Sequence, residues 1–153
     1  MTESQQNRES YIYMEQALKL AGQSAEDVPV GAVIVHNGSV IATGVNERER
    51  NLDPAGHAEI VAMRKAAQVL KNWRLTGCQI YVTLEPCAMC AEALIQSRVS
   101  TIIFGAYDPR SGACGSAYNL FIAGRPYPMP EVIGGIMEAE CKEMLTEFFR
   151  SRD

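Results

Sequence analysis

The chain has 153 residues, of which 47% are hydrophobic, 21% are charged and 7% are aromatic. These values predict a single globular domain over residues 1–153 with one hydrophobic core, and they exclude disordered and fibrous proteins. The formal net charge of -4 argues against a protein that coats nucleic acid through bulk electrostatics, because such binding requires many Lys and Arg side chains.

The cysteines and the N-terminal stretch indicate the cellular compartment. The five cysteines are odd in number and lie in no secretory context, so their thiols are expected to be free for metal binding or catalysis. They are Cys78, Cys87, Cys90, Cys114 and Cys141. The start MTESQQNRES lacks the apolar region of a signal peptide, and no stretch has the character of a membrane span. We therefore expect a cytoplasmic protein that does not enter a membrane.

The first half of the chain predicts two helices separated by a hairpin. Apolar residues at helical spacing predict a helix over residues 8–21, which Gly22 would end. The runs VGAVIV (Val30–Val35) and SVIATGV flank an Asn-Gly pair, which is typical of two antiparallel strands. A second helical face begins at His57 and ends near residues 71 and 72.

The second half predicts a βαβ unit followed by a long loop. QIYVTL (Gln79–Leu84) and STIIFG (Ser100–Gly105) are predicted strands. The Ala-rich stretch CAMCAEALIQS between them is too long for a turn, so it predicts a crossover helix and a parallel strand pair. Residues 106–130 hold several Gly and Pro, which indicates a substrate-side loop with a helical turn near Ala117–Ile122.

A short strand and a helix complete the chain. The strand is predicted around Glu131–Ile133, after Pro130. An amphipathic C-terminal helix is predicted from the spacing of Met137, Cys141, Met144 and Phe148. Together the elements predict an α/β fold, a three-layer α/β/α sandwich around a five-stranded mixed sheet.

The stretch LEPCAMC predicts a metal site. Cys87 and Cys90 lie three residues apart at the start of a predicted helix, where they share a face and the helix dipole favours thiolates. Of the two histidines, His36 falls in the hairpin turn and His57 opens the second helix, so His57 is the better third ligand. A His/Cys/Cys set leaves the fourth tetrahedral position to water, which is the pattern of a catalytic zinc.

Glu59 follows His57 by two residues and is predicted to act as general acid and base beside the metal. Simpler alternatives are a favourable first-turn charge for Glu59 and a redox or structural role for the Cys-x-x-Cys pair, although a redox pair would not explain His57 and Glu59. Cys114 could close the site as a fourth ligand, and iron could replace zinc, but the ligand set favours an open zinc site. Cys78 and Cys141 are expected to be packing residues.

Two motifs and several longer stretches carry a resemblance to a known family. HAE at residues 57–59 and PCAMC at residues 86–90 match the H-x-E and P-C-x-x-C signature of zinc nucleobase deaminases. With VPVGAVIVHNG, IYVTLEPCAMC, FGAYDPRSGACGS and EFFR, the chain resembles the bacterial tRNA adenosine deaminases over most of its length. This resemblance implies a cytidine deaminase-like fold, one zinc ion per subunit and a homodimer in which one subunit helps to shape the RNA surface of the other.

The resemblance also implies the reaction and the substrate. Hydroxide made available by the zinc would attack C6 of adenine, and Glu59 would protonate the ring nitrogen and then the leaving amine, giving inosine. Because the target atom is inaccessible in a stacked helix, we expect a single-stranded RNA loop with its base turned out. By resemblance this base is the first anticodon nucleotide of a tRNA, at the wobble position.

Substrate contacts are likewise implied by the resemblance. Asn46 would hydrogen-bond the base, and Asp108 would approach the ribose. Val28 and Pro29, which precede the first strand, would form an apolar wall of the base pocket. The substrate-binding residues so implied are Val28, Pro29, Asn46, Ala58, Asp108, Phe149 and Arg150. Local roles compete with these assignments, since Asn and Asp suit turns and Phe148, adjacent to Phe149, fits the helix core. The ERER run, Glu47–Arg50, is predicted to be a solvated loop.

Three departures from the family pattern leave the substrate open. Residues 125–130 read RPYPMP, without the Asn-His pair that family members usually carry there. Tyr107 stands where arginine is common, and Ala55-Gly56 replaces the usual Thr-Ala. One alternative is therefore a deaminase of a free base or nucleoside, of the guanine or cytosine type, with the same zinc site. A second alternative is a zinc-stabilised binding module without turnover.

Overall fold

The computed structural model describes residues 2–152 of the chain. In chain order its elements are α1 (Glu3–Ala21), β1 (Gly31–His36), β2 (Ser39–Val45), α2 (Ala58–Leu70), β3 (Cys78–Leu84), α3 (Ala88–Gln96), β4 (Thr101–Ala106), β5 (Glu131–Ile133) and α4 (Glu138–Arg150). The strands and α2 to α4 agree with the predicted elements to within a residue or two, which is the usual uncertainty of element ends. No helix in this part of the chain has the length and hydrophobicity to cross a membrane.

The strands form one mixed sheet in the order β2-β1-β3-β4-β5. β1 pairs antiparallel with β2 and β3, whereas β4 pairs parallel with β3 and β5. The β1–β2 turn holds Asn37 and Gly38 at φ values of 51° and 76°, the left-handed pair that a tight hairpin requires. The parallel β3–β4 pair, joined through α3, confirms the predicted βαβ unit.

Helices cover both faces of the sheet. Successive residues of a strand point to opposite faces, so β1 contributes Ala32 and Ile34 to one core cluster and Val33 and Val35 to the other. The first cluster includes residues of α2 and α3, namely Ala58, Ala62, Met63, Ala66 and Leu94. The second includes residues of α1 and α4, namely Met14, Ala17 and Cys141. This arrangement confirms the three-layer α/β/α sandwich.

Two glycines allow helices to lie directly on the sheet. A Cβ added at Gly31 would lie 2.1 Å from the carbonyl oxygen of Ala17 in α1. A Cβ added at Gly44 would lie 2.3 Å from the carbonyl oxygen of Ala58, the first residue of α2. Any larger residue at Gly44 would push the start of α2 away from β2. Gly44 therefore helps to fix the position of His57, which directly precedes α2.

The start of α1 differs from the prediction. The helix begins at Glu3 rather than near residue 8 because Thr2 and Gln5 form a capping box. The Thr2 hydroxyl accepts a hydrogen bond from the Gln5 backbone N–H at 3.2 Å, and the Gln5 side chain accepts one from the Thr2 N–H at 2.8 Å. The apolar face that predicted this helix starts only after its first two turns, so periodicity alone placed the start too late.

The long loop contains no helical turn over Ala117–Ile122, so that prediction is wrong. The backbone N–H groups of Ala117 and Tyr118 both donate to the carbonyl oxygen of Gly112 at 2.9 Å. Cys114 then forms an isolated antiparallel bridge with Asn119. These contacts fold the segment back on itself and use the backbone groups that a helical turn would need.

The loops of interest meet at one edge of the sheet. β3 and β4 run parallel and end at Leu84 and Ala106, so their carboxyl ends lie side by side. α2 and α3 both begin at this edge, after the ends of β2 and β3. In α/β sheets this edge is where ligands usually bind.

Candidate active site

His57, Cys87 and Cys90 lie together where α2 and α3 begin. His57 is the N-cap residue of α2, Cys87 is the N-cap residue of α3, and Cys90 lies in the first turn of α3. Nδ1 of His57 is 3.5 Å from the Sγ atom of each cysteine, and the three ligand atoms lie within 4.8 Å of one another. The structure thus brings together the three residues that were predicted to bind metal.

The spacing of these atoms fits a tetrahedral zinc ion. Zinc bonds of about 2.1 Å to nitrogen and about 2.3 Å to sulfur, meeting at the tetrahedral angle, hold their donor atoms about 3.6 Å apart. The His57 to cysteine distances of 3.5 Å agree with this value. Within residues 2–152, Cys114 is not part of the cluster, so the ligand set has three members and leaves a tetrahedral position open.

Hydrogen bonds within the cluster set the charge of its members. Contacts with Cys90 and then with His57 outweigh burial and lower the pKa of the Cys87 thiol to about 4. The same contacts with Cys87 raise the pKa of Cys90 and that of His57. The cluster therefore favours a thiolate on its cysteine side, stabilised by contacts with its neighbours. Metal binding requires all three groups to be deprotonated, so it is expected to release protons.

Glu59 is buried beside the cluster in the first turn of α2. It is only 4% exposed, and desolvation raises the pKa of its carboxyl group to about 7. The carboxyl group is not a member of the ligand cluster. A carboxyl group with such a pKa can accept and return a proton near neutral pH, which is what a general acid and base must do.

A small cavity opens onto the ligand cluster. Its volume is about 230 Å³, below the roughly 300–1,000 Å³ of sites for drug-sized ligands, so it suits a single ring system rather than a whole nucleotide. Four of the predicted substrate-binding residues line it, together with Glu59, the proposed general acid and base. The lining residues are Val28, Val30, Asn46, Arg48, His57, Ala58, Glu59, Leu84, Glu85, Cys87, Asp108 and Ser111.

Asn46 links two walls of this cavity. Its Nδ2 donates to the carbonyl oxygen of Val28 at 3.2 Å, and its Oδ1 accepts from the backbone N–H of Arg48 at 3.3 Å. An Asn side chain has two donor hydrogens and two acceptor lone pairs, so one of each is left for a ligand. Asn46 thus serves a local structural role and also retains hydrogen-bonding capacity towards the cavity.

Asp108 also combines a local role with a place in the cavity wall. Its Oδ1 accepts from the backbone N–H groups of Arg110 at 3.1 Å and Ser111 at 3.2 Å, which is the turn expected of an Asp-Pro pair. The second carboxylate oxygen is not used in this turn. The adjacent Tyr107 lies outside the cavity lining and packs edge-on against Phe104, with ring centroids 5.0 Å apart.

Three predicted contacts are not brought to the cavity. Pro29 is buried but does not line it, whereas Val28 and Val30 do. Phe149 and Arg150 lie at the end of α4, on the opposite face of the sheet from α2 and α3. Phe149 is 55% exposed, so its ring is available to a partner outside the cavity.

Residues 125–130, which lack the expected histidine, contact α3 through Arg125. Arg125 donates to Glu92 of α3 at 2.7 Å and to the carbonyl oxygen of Leu120 at 3.1 Å. The guanidinium groups of Arg98 and Arg125 lie 5.1 Å and 5.7 Å from the centroid of the Tyr127 ring. None of these residues lines the cavity around Glu59.

Sequence reasoning missed several lining residues. The period-two alternation of an extended chain would have placed Val30 on the same side as Val28 and Pro29 on the other. Arg48 belongs to the run that was predicted to be solvated, and its Nη1 lies 3.2 Å from Nε2 of His57. The other missed residues are Leu84 and Glu85, at the end of β3, and Ser111, whose approach depends on the folding of the long loop.

Comparisons with known proteins agree with this geometry. The family model of the cytidine and deoxycytidylate deaminase zinc-binding region matches residues 7–106. The tRNA-specific adenosine deaminase of Bacillus subtilis (strain 168) is 45% identical over 141 residues, which cover 91% of this chain and 88% of that protein.

Two solved structures are also similar. One, from a study of A-to-I editing by tRNA:A34 deaminases at the wobble position of transfer RNA, has a TM-score of 0.80 and 39% identity, covering 87% of this chain and 98% of that chain. Guanine deaminase from Nitrosomonas europaea has a TM-score of 0.75 and 25% identity, covering 90% of this chain and 83% of that chain.

The fold and the ligand cluster define a zinc-binding deaminase domain. The chain belongs to the cytidine and deoxycytidylate deaminase family and, within it, groups with the bacterial tRNA-specific adenosine deaminases. The predicted cytidine deaminase-like fold is thereby confirmed.

Proposed function

We propose that the protein deaminates adenosine to inosine at the wobble position of a tRNA anticodon loop. The observation that carries this proposal is the presence of Glu59, with a pKa of about 7, in the same 230 Å³ cavity as His57 and Cys87. The substrate follows from the names of the similar proteins, which act on tRNA adenosine.

The reaction replaces the amino group on C6 of adenine with oxygen from water, and ammonia leaves. Zinc, when bound, lowers the pKa of a coordinated water to about 7. Glu59 takes a proton from the attacking water and passes it to the adjacent ring nitrogen. It then takes the proton of the new C6 hydroxyl and gives it to the leaving amine, so that ammonia departs and C6 keeps the oxygen as a carbonyl. Burial raises the pKa of this carboxyl group to about 7, so it can both accept and return a proton near neutral pH.

The cavity residues orient the base for this attack. Asn46 offers its remaining amide hydrogen and lone pair to the polar edge of the ring, while Val28 and Ala58 provide apolar walls. Asp108, which lines the cavity, would meet a ribose hydroxyl through the carboxylate oxygen that its turn does not use. Only a base turned out of its stack can enter so small a cavity, which favours a single-stranded loop over a duplex.

Contacts beyond the cavity are also part of the proposal. Outside the cavity, Phe149 would stack on a base of the RNA and Arg150 would bind its phosphates. Their position on α4 allows these contacts if the RNA spans more of the surface. We further propose a homodimer with one zinc ion per subunit, residues 1–153 acting as one domain, and a cytoplasmic location.

A second candidate is a deaminase of free guanine. One observation favours it, the fold similarity to the guanine deaminase of Nitrosomonas europaea. In this case the cavity would hold the same ring system without a ribose, and Asp108 would have no ribose partner.

Ammonia release from a panel of substrates separates the two candidates. The panel consists of an anticodon stem-loop with adenosine at the first anticodon position, free adenosine, free guanine and free cytosine, each with zinc-loaded protein. Release from the stem-loop alone is expected. Release from guanine without release from the stem-loop would overturn the proposal, and no release from any of them would favour a binding module.

A further inference from the structure

Glu85 is a buried carboxylate at the cavity. The proposed reaction gives it no role. It follows the end of β3 and is separated from the metal-ligand residue Cys87 only by Pro86. The residue is 2% exposed and contributes to the cavity lining. A carboxylate this deeply buried must be satisfied by hydrogen bonds or by a charge, because an isolated one is strongly unfavourable.

Within residues 2–152, the hydrogen-bond donors to the Glu85 carboxylate come from one segment of the long loop, residues 108–116. Oε1 accepts from the backbone N–H of Asp108 at 3.0 Å and from the Ser116 hydroxyl. Oε2 accepts from the backbone N–H groups of Cys114 at 3.0 Å and Ser116 at 3.2 Å. Glu85 thus joins both ends of the 108–116 segment to the turn that bears Cys87.

The middle of the segment lies tightly against the same turn. The backbone N–H of Ala113 donates to the carbonyl oxygen of Pro86 at 2.8 Å, and Gly112 forms a bridge with Cys87. A Cβ added at Gly112 would lie 2.4 Å from Cδ of Glu85, so only glycine fits there without displacing the carboxylate. Loops as long as the one between β4 and β5 are usually either functional or disordered. Here the contacts of the carboxylate hold the segment in the absence of regular secondary structure.

The chemistry of this contact requires a carboxylate. An ionised Glu accepts through about four lone pairs and donates nothing, which matches the four donors from Asp108, Cys114 and Ser116. A Gln side chain would turn an NH2 group towards backbone N–H groups and leave at least one of them without an acceptor. A near-isosteric change at Glu85 should therefore release the segment.

We propose that Glu85 is a positioning residue. It sets the distance between the turn that bears Cys87 and the substrate wall formed by Asp108 and Ser111. Both wall residues lie in the 108–116 segment and line the cavity. The inference rests on the proposed function for the identity of the substrate. Its structural part, the ordering of the segment by Glu85, stands without it.

The test compares Glu85→Gln with the matched control Glu92→Gln, whose carboxylate pairs with Arg125 outside the cavity. Amide hydrogen exchange, zinc content and steady-state kinetics on the stem-loop are measured for both. For Glu85→Gln, we expect exchange at the amides of Asp108, Cys114 and Ser116 to rise at least about tenfold while that of β3 and β4 is unchanged. We expect unchanged zinc content and a fall of about 10- to 100-fold in kcat/KM that includes a loss in kcat, since misplacement of about 1 Å can have effects of this size.

Ser116 provides a second pair of variants should Glu85→Gln fold poorly. Ser116 lies at the surface, so Ser116→Ala removes one donor to Glu85 with little risk to the core, and Ser116→Thr retains the hydroxyl. The alanine variant should raise exchange in the segment and lower kcat/KM, and the threonine variant should restore both.

The possible outcomes separate this inference from the proposed function. Unchanged exchange in residues 108–116 of Glu85→Gln, or a loosened segment with unchanged kcat/KM, would overturn the positioning role. A rise in exchange throughout β3 and β4 would make Glu85 a general stability residue instead. If the wild-type protein does not turn over the stem-loop, the proposed function fails, and the exchange measurement alone decides whether Glu85 orders the segment.

Discussion

The start of α1 and the starts of α2 and α3 are built in opposite ways. α1 has a complete capping box, with Thr2 as N-cap and Gln5 three residues later. α2 and α3 have His57 and Cys87 at the same position, and neither side chain makes a capping hydrogen bond. A capping side chain stabilises a helix by typically about 1 kcal/mol. The two helices at the active site thus give up capping and use the N-cap position for metal ligands.

The first turns of α1 and α2 show the same contrast for an acidic residue. Glu3 and Glu59 both lie where a negative charge favours the helix dipole. Glu3 is exposed, whereas Glu59 is buried and has a pKa raised to about 7. Of these two first-turn residues, only Glu59 combines burial with a place in the cavity lining, and this marks it as the one available for proton transfer.

The largest expected effect belongs to Glu59→Gln. The amide cannot exchange protons, so we expect kcat to fall by about 10²- to 10⁴-fold, the usual contribution of general acid-base catalysis. Zinc content should not change, because Glu59 is outside the ligand cluster. Steady-state kinetics and metal analysis of purified protein measure both quantities.

Glu3→Gln is the matched control for this substitution. It makes the same chemical change in the first turn of a helix far from the cavity, so activity should equal that of the wild type. A Glu59→Gln protein that retained more than about a tenth of wild-type kcat would remove Glu59 from the proposed mechanism.

The next largest effect is expected for Cys87→Ser, which exchanges a ligand for a good N-cap residue. Loss of the thiolate should weaken zinc binding by more than the 10- to 100-fold typical of changes in outer-shell partners. Stability without metal should be unchanged or higher by up to about 1 kcal/mol, because a serine hydroxyl can cap α3. Urea unfolding with and without zinc, together with a zinc titration, measures the two effects separately.

Cys114→Ser serves as the control for the cysteine change, since Cys114 is neither an N-cap residue nor a member of the cluster. It should bind zinc as the wild type does. Equal zinc affinity for Cys87→Ser and the wild type would show that the cluster is not the metal site.

The smallest effect is expected for Thr2→Ala. This change removes the capping box of α1, which lies at an exposed end of the chain, so the free energy of unfolding should fall by about 0.5–1 kcal/mol. For a chain of this size the melting temperature would fall by roughly 1–4 °C. Activity should be unaffected, and a large loss of activity would indicate that the start of α1 takes part in substrate binding.

The elements and the reactive residues were largely predictable because their signals are local. Helical periodicity marks α2, short apolar runs mark β3 and β4, and the Ala-rich stretch between those strands is too long for a turn and so marks α3. The metal ligands follow from two short motifs. The capping box at Thr2 was also present in the sequence, but the prediction relied on apolar residues that begin further along the helix.

The order of the long loop was not predictable because its partners are distant in sequence. The donors to Glu85 lie 23, 29 and 31 residues away from it along the chain. No local pattern distinguishes a glutamate that binds such a loop from an exposed one. Contacts at shorter range explain why Ala117–Ile122 forms no helical turn: Ala117 and Tyr118 donate to the carbonyl oxygen of Gly112, and Asn119 bridges Cys114.

In the proposed reaction, one zinc site and Glu59 together convert adenosine to inosine. The most direct test is to titrate zinc into metal-depleted protein while following inosine formation in the anticodon stem-loop. We predict that wild-type activity rises with added zinc and levels off at about one equivalent per chain, and that Glu59→Gln binds the same amount without activity. Turnover in the metal-depleted protein, or equal activity of the Glu59→Gln variant, would contradict the claim.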